Sequence, residues 1–258
     1  MIFLGSVENL EKSRLGPGGD FFSEIFISLF FPYQGMTKIS TGTEFLDTLL
    51  QGGYDPDIVT TLFGPSGAGK TNFCLLAAVR IAEAGKKVLF IDTEGGIAVE
   101  RIKQISVDYE GILDNIIFFN PVTFVEQNDI FEKVKSMTTD QVGMIVVDSI
   151  SMLYRLELGR SEEVYEVNSA LGRQIAYLVE IARRKKIPVL ITNQVYADFD
   201  HRDEVKMVGG DLLKYGSKCL LELRRGEDFR EIILRKHRSL PEGRRMKFRI
   251  VEKGMEEI

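Results

Sequence analysis

One octapeptide limits the folds open to this chain more than any other feature: Gly64-Pro65-Ser66-Gly67-Ala68-Gly69-Lys70-Thr71, a full match to G-x-x-x-x-G-K-[ST]. An apolar, β-branched run from Ile58 to Phe63 precedes it, and a segment of helical spacing from Lys70 to Ala84 follows and stops at Gly85. In that setting small residues let successive backbone N–H groups turn inward on a phosphate, and the helix N-terminus adds its partial positive charge. Lys70 then brings a point charge to the β- and γ-phosphates, and the Thr71 hydroxyl can ligate Mg²⁺. All eight residues are therefore expected to hold ATP with Mg²⁺.

From Thr37 onward strand-like and helix-like segments alternate. Val88 to Ile91, Ile116 to Phe119, Met144 to Val147 and Pro188 to Val195 read as strands. Helical segments separate them, from Ala98, from Phe124 to about Thr138 and from about Glu162 to Lys185. That order predicts an α/β fold of the P-loop type, with a mostly parallel sheet covered on both faces. Lys218 to Leu223, Glu231 to Leu234 and Met246 to Val251 are strand-like with short polar connections, and are expected to add antiparallel strands at the C-terminal edge.

Three further strand ends supply companions for the phosphate loop. Asp148 closes the apolar strand Met144 to Val147, where a carboxylate is costly to bury unless a cation such as nucleotide-bound Mg²⁺ compensates it. Glu94, in Asp92-Thr93-Glu94-Gly95-Gly96, sits where a carboxylate can orient or deprotonate an attacking water. Gln194, in Thr192-Asn193-Gln194-Val195, offers an amide that can sense the γ-phosphate. The expected catalytic set is Glu94, Lys70 and Gln194, and the expected metal ligands are Thr71 and Asp148.

Composition excludes other classes. With 44% hydrophobic and 28% charged residues the chain is an ordinary globular sequence. Two cysteines, Cys74 and Cys219, cannot make a disulfide framework or a four-thiolate zinc site, and two histidines, His201 and His237, argue against a catalytic zinc centre. The net charge of −5 is unevenly spread: residues 224–253 carry 11 Lys/Arg against 5 Asp/Glu. Residues 1–35 contain no Ala, include Gly-Pro-Gly-Gly at 16–19, and run apolar from Phe21 to Phe31 apart from Glu24. That run is too short to span a bilayer. It reads either as an interfacial or partner-binding helix or as sequence upstream of a start at Met36, so the expected division is an extension over 1–35 and a core over 36–258.

These motifs, in this order and spacing, resemble the RecA-like recombinase ATPases, and within them the archaeal and eukaryotic branch. Lys38-Ile39-Ser40-Thr41-Gly42-Thr43-Glu44-Phe45-Leu46-Asp47 with Leu49-Leu50-Gln51-Gly52-Gly53 resembles the opening of that branch's ATPase core. The resemblance extends to residues 92–101, 146–149, 193–195 and 235–250, and is strongest to short archaeal paralogues that consist of the core alone. It implies that Glu94 is the catalytic carboxylate, Gln194 the γ-phosphate sensor, and Arg101 a residue packing over the adenine. A first DNA loop is then expected near Met152 to Ser161, with Arg155 and Arg160 as phosphate contacts, and a second near Ala197 to Val208. Lys236-His237-Arg238-Ser239-Leu240-Pro241 resembles a basic K-H-R-x-R-P stretch, with Leu240 in place of its second Arg.

Departures shape the functional expectation. Residues 1–35 are too short for the small helical DNA-binding domain of full-length recombinases, and without Ala they cannot hold the F-x-x-A docking motif. The second loop contains Asp198, Asp200, Asp203 and Glu204 against Arg202 and Lys206, a balance that repels phosphodiesters. The chain is thus expected to be a DNA repair and recombination accessory protein, or mediator, with weak ATPase activity and little strand exchange. Sequence-independent contact with DNA, single strands favoured, is expected through Lys236, His237, Arg238, Arg244, Arg245 and Lys247. By resemblance its partners are the main recombinase and a Holliday-junction resolvase. A homodimer rather than a stable filament, no membrane, and a cytoplasmic, nucleoid-associated location complete the expectation. The competing reading is a RecA-fold signalling or clock-type ATPase that acts through protein partners without DNA.

Overall fold

The chain enters its core at helix α1 (Glu44–Leu49), which is tied down before it begins: Asp47 accepts from the Thr41 backbone N–H at 2.7 Å and from the Ser40 hydroxyl at 2.6 Å. The computed structural model describes residues 37–160, 162–197 and 205–258. The extension expected over 1–35 lies outside the described residues. After α1 the order is β1 (Val59–Phe63), α2 (Lys70–Glu83), β2 (Lys87–Asp92), α3 (Val99–Ile105), α4 (Tyr109–Asn115) and β3 (Ile116–Phe119). Next come α5 (Phe124–Met137), β4 (Val142–Asp148), α6 (Met152–Leu158), α7 (Val164–Lys185) and β5 (Val189–Asn193). The last third contains β6 (Val195–Ala197), β7 (Val205–Met207), α8 (Gly210–Gly216), β8 (Cys219–Arg225), β9 (Arg230–His237), β10 (Arg245–Val251) and β11 (Gly254–Glu257).

Nine strands form one sheet in the order β11-β10-β9-β8-β1-β5-β4-β2-β3. The pairings from β3 to β8 are parallel, whereas β8–β9, β9–β10 and β10–β11 are antiparallel. The expected α/β architecture, with antiparallel strands at the C-terminal edge, is therefore the observed one. Both faces of the parallel part are covered, which explains why β1 and β5 are buried at every position. One face packs Phe45, Phe73, Ile102 and Ile112 from α1 to α4; the other packs Phe131, Leu153, Leu171, Leu178 and Leu213 from α5 to α8.

Local sequence sets several boundaries. Thr123 caps α5 by accepting from Glu126 N–H at 3.1 Å, and the Glu126 carboxylate reaches back to Val122 N–H at 2.9 Å. In β10, Phe248 points inward, stacked on Phe45 at 5.6 Å and edge-on to Phe73 at 5.2 Å. Fully burying one such ring stabilises by about 1.5–3 kcal/mol, enough to fix which way the strand faces.

Two expectations need correction. The run Pro188 to Val195 is not one strand: β5 ends at Asn193, whose side-chain amide donates to Val208 O at 2.9 Å, and Val195 starts a separate ribbon with β7. The segment expected as a first loop, Met152 to Ser161, is helical over Met152–Leu158, with Arg155 N–H donating to Ser151 O at 3.0 Å. Ser161 and residues 198–204, most of the second loop, lie outside the described residues.

Candidate nucleotide site

The parallel strands bring the four predicted elements to one edge of the sheet. Register places Phe63 opposite Asn193 and Asp92 opposite Asp148, so the phosphate loop, Glu94, Asp148 and Gln194 all leave the sheet at its C-terminal edge. Ligands in open α/β sheets bind in the crevice at that edge.

The loop from Gly64 to Thr71 needs its glycines for geometric reasons. Gly64 has φ 153°, and a Cβ there would meet the Leu223 carbonyl oxygen at 2.2 Å. Gly69, at φ 103°, ends the loop and starts α2 beneath Ile250 and Met255 of the C-terminal hairpin. Lys70 is 8% exposed, and its ammonium donates to Gly64 O at 2.8 Å and Pro65 O at 2.9 Å. Burial lowers its pKa, while Glu94 and Asp148 oppose that shift. Ser66 and Gly67 are exposed at the loop tip, Pro65 also faces solvent, and Ala68 is fully buried behind them.

An open cleft of about 550 Å³ lies over this loop, walled by Thr71, Asn72, Glu94, Arg155, Gln194, Arg230 and Ile250. Asp92 builds the turn that presents Glu94: its Oδ1 accepts from the N–H groups of Glu94 at 3.0 Å and Gly95 at 2.8 Å. Gln194 Nε2 donates to Glu94 Oε1 at 2.9 Å across the cleft. Gln194 is set by its neighbours, since its backbone N–H meets Ser151 Oγ at 3.3 Å and its carbonyl accepts from Val208 N–H at 3.1 Å.

Asp148 is 2% exposed and accepts from the Thr192 hydroxyl. Burial pushes its pKa up, against the lowering effects of hydrogen bonds from Thr192 and Thr71. A desolvated carboxylate beside a loop threonine fits a Mg²⁺ that arrives with the nucleotide, because Mg²⁺ takes one or two protein ligands together with phosphates. Among the described residues no cluster of three or more His, Cys, Asp or Glu could hold a metal by itself. Cys74 and Cys219 are buried thiols, and burial pushes Cys219 up to about 12.

Other predicted residues lie in places that sequence did not foretell. Arg101, expected to pack over the adenine, is held by its N–H groups. Its guanidinium donates to Asn72 Oδ1 at 2.8 Å, Gln104 Oε1 at 2.8 Å, and the carbonyls of Val251 at 3.1 Å, Glu252 at 2.8 Å and Gly254 at 3.1 Å. Arg155, expected to contact DNA, lines the nucleotide cleft from α6, whereas Arg160 is exposed beyond the end of that helix.

The basic tail also divides. The His237 ring is 2% exposed; its Nδ1 accepts from Ser239 and Leu240 N–H at 3.2 Å each, and its Nε2 lies 3.4 Å from Asp55. Arg238 is ion-paired to Asp55 at 3.0 Å and Asp57 at 2.8 Å, and Lys236 donates to the carbonyls of Lys214 and Ser217. Those two buried acids and two carbonyls engage the side chains of Lys236, His237 and Arg238, the three expected to present themselves to a phosphate backbone, of which Arg238 is still exposed. Arg244 reaches Thr48 O at 3.4 Å, whereas Arg245 and Lys247 are exposed on β10.

Sequence reasoning missed Arg230, whose Nε donates to Gly67 O at 3.1 Å inside the phosphate loop. Only the antiparallel return of β9 brings it there.

A parallel sheet whose C-terminal edge carries a glycine-rich phosphate loop, a buried strand-end aspartate and a facing carboxylate–amide pair defines a RecA-type P-loop NTPase fold. Comparisons with known proteins agree. The Rad51 family profile matches residues 33–258, and the chain belongs to the Rad51 family, within it to the RadB proteins. DNA repair and recombination protein RadB of Methanobrevibacter smithii is 42% identical over 226 residues, covering 84% of this chain and 95% of that protein. Its counterpart in Methanocaldococcus jannaschii is 41% identical over 218 residues, covering 83% and 99%. The crystal structure of the RadB recombinase superimposes with TM-score 0.72 at 38% identity, covering 85% of this chain and 99% of that one.

Proposed function

We propose that this chain is an ATP-dependent accessory protein of homologous recombination, a mediator that binds and slowly hydrolyses ATP and contacts DNA without exchanging strands. The observation that carries this reading is the meeting of Lys70, Glu94 and Gln194 around the 550 Å³ cleft, with Asp148 at the end of the adjacent strand. The backbone of residues 64–71 cradles the phosphates, Lys70 extends from its own loop carbonyls to the β- and γ-phosphates, and Thr71 and Asp148 would hold Mg²⁺. A Mg²⁺ held there would supply charge neutralisation. Glu94 orients the attacking water and accepts its proton. Gln194 leaves Glu94 to meet the γ-phosphate, and the ribbon that begins at Val195 moves with it.

DNA contact follows from the family's role in repair and recombination and from the excess of cations after residue 223. The main recombinase and a Holliday-junction resolvase are the proposed protein partners, met in the cytoplasm at the nucleoid. No helix among the described residues is long and apolar enough to cross a membrane. The test is ATP turnover measured with and without single-stranded DNA, alongside a strand-exchange assay. Slow turnover with DNA binding and no exchange is expected; robust strand exchange, or absence of turnover, would refute the reading. Turnover without any DNA binding would favour an ATPase that works through protein partners alone.

A further inference from the structure

The antiparallel extension has one covered face and one that looks outward. Phe248, Ile232, Leu234 and Leu221 point into the core under α1 and α2. On the other side, alternate residues of β10 place Arg245, Lys247 and Arg249 in an exposed row, each two residues from the next. At about 3.4 Å per residue that row is about 14 Å long, a straight ladder of cations spaced about 7 Å apart. Arg235 of β9 and Arg224 of β8 extend the same face across the sheet.

Two carboxylates on this face lie beneath the cations, and a third, Glu256 of β11, is exposed opposite Arg249. Glu222, 5% exposed, is clasped by Arg224 at 2.6 Å and by Arg235, and Glu231, 16% exposed, lies 3.9 Å from Arg245. Solvent therefore meets Arg224, Arg235, Arg245, Lys247 and Arg249, flanked by exposed Glu256 on β11 and by Glu227 and Asp228 in the adjoining turn. A partly exposed aromatic ring completes the surface: Lys247 Nζ sits 4.4 Å from the Phe229 ring centroid, and Arg249 Nε donates to the Asp228 carbonyl in the same turn.

We infer that this outer face of β8–β10 binds single-stranded nucleic acid, with Arg245, Lys247 and Arg249 tracking the phosphodiester backbone and Phe229 stacking on a base. The inference rests on the proposal that the protein contacts DNA, and it moves that contact from residues 236–238 at the end of β9 to the flat face beside it. A straight row of cations with an adjacent π-face matches the combination used to bind single strands without reading sequence. A phosphate that draws Lys247 off the ring leaves the face of Phe229 beside the incoming base. The side chains name no base edge, so discrimination between sequences is weak.

The test is fluorescence polarisation of a labelled 30-nucleotide dT strand, titrated with the full chain between 50 and 200 mM salt. Arg245→Gln/Lys247→Gln/Arg249→Gln is expected to bind at least 30-fold more weakly at low salt. Its log–log salt slope should be shallower by about two, at about 0.7 per lost phosphate contact on a single strand. Phe229→Ala should weaken single-strand binding about fivefold or more and duplex binding less. Arg183→Gln/Arg184→Gln at the end of α7 should bind like wild type, and ATP affinity unchanged in the triple variant shows that it is folded.

Wild-type binding matched by the triple variant would overturn this placement and leave the DNA reading standing. Absence of wild-type binding at low salt would overturn both. Poly-glutamate competing as well as dT would assign the face to an acidic protein partner instead, and a duplex preference insensitive to Phe229→Ala would refute the single-strand assignment.

Discussion

Arg101→Ala separates two roles that the same side chain could have. The guanidinium joins Asn72 on the phosphate-loop helix to three carbonyls of the turn that links β10 to β11, within a segment that packs Ile250 and Met255 above Gly69. A hydrogen bond to a charged group contributes about 1.5–3 kcal/mol when buried, and less when water competes. For partly exposed acceptors, about 0.7–1 kcal/mol for each of the three carbonyls gives a loss of about 2–3 kcal/mol. In a domain of this size that corresponds to a fall of about 5–10 °C in Tm. Urea titration followed by circular dichroism reads the loss directly, and Arg101→Lys, which keeps the charge without the fork, should recover only part of it. ATP affinity should fall only slightly at temperatures where the variant is folded. Unchanged stability together with a tenfold or greater loss of ATP affinity would refute the staple and restore the adenine contact.

Glu94→Gln should keep ATP affinity within about threefold and cut single-turnover hydrolysis by about 10²-fold or more, the usual scale of a lost general base; undiminished hydrolysis would remove Glu94 from the reaction. Arg155→Ala should slow hydrolysis in the absence of DNA, because Arg155 lines the nucleotide cleft; a variant that loses only DNA affinity would return Arg155 to the first-loop role. His237 makes stability depend on pH with a definite sign. Burial, followed by Lys38, Arg238 and Arg244, lowers its pKa below the usual value near 6.5, with Asp55 opposing. Its contribution is thus fully present above about pH 6.5 and is lost as pH falls below that value toward the folded pKa. Urea midpoints should drop between pH 7 and 5.5 in wild type and drop less in His237→Asn; parallel curves would contradict this. Gly64→Ala should lower both stability and nucleotide binding, since its Cβ would meet Leu223 O at 2.2 Å; wild-type behaviour in both assays would refute the tight approach.

What the sequence made legible was local chemistry. The phosphate loop declares itself because strand, glycines, lysine and helix are contiguous, and Asp148 does because a carboxylate closing an apolar run is unusual. β3 falls at its expected limits, and β1, β2 and β4 within one or two residues, because parallel buried strands read as uninterrupted apolar runs. Short elements such as α4, α6, α8 and β11 carry too few turns or pairs for periodicity to separate them from loops. Residues whose partners are distant in the chain were the least legible. The KHR stretch looks like a free basic surface until Asp55 and Asp57 are seen beneath it, about 180 residues earlier. Arg101 looks like an ordinary helical arginine until the chain's last turn folds onto it, and Arg230 gains its place only when β9 returns past Gly67. Charge composition located the basic region correctly, but which cations face solvent depends on strand register that a charge count does not contain.

The central claim is that residues 64–71 form the nucleotide site and that Lys70 holds the phosphates. Titration of a fluorescent ATP analogue with Mg²⁺ against wild type and Lys70→Ala tests it most directly. Wild type should saturate, and the variant should bind at least about 10- to 100-fold more weakly, the equivalent of about 1.5–3 kcal/mol for a lost charge-assisted contact. Equal affinity in the two proteins, with the variant shown to be folded, would contradict it.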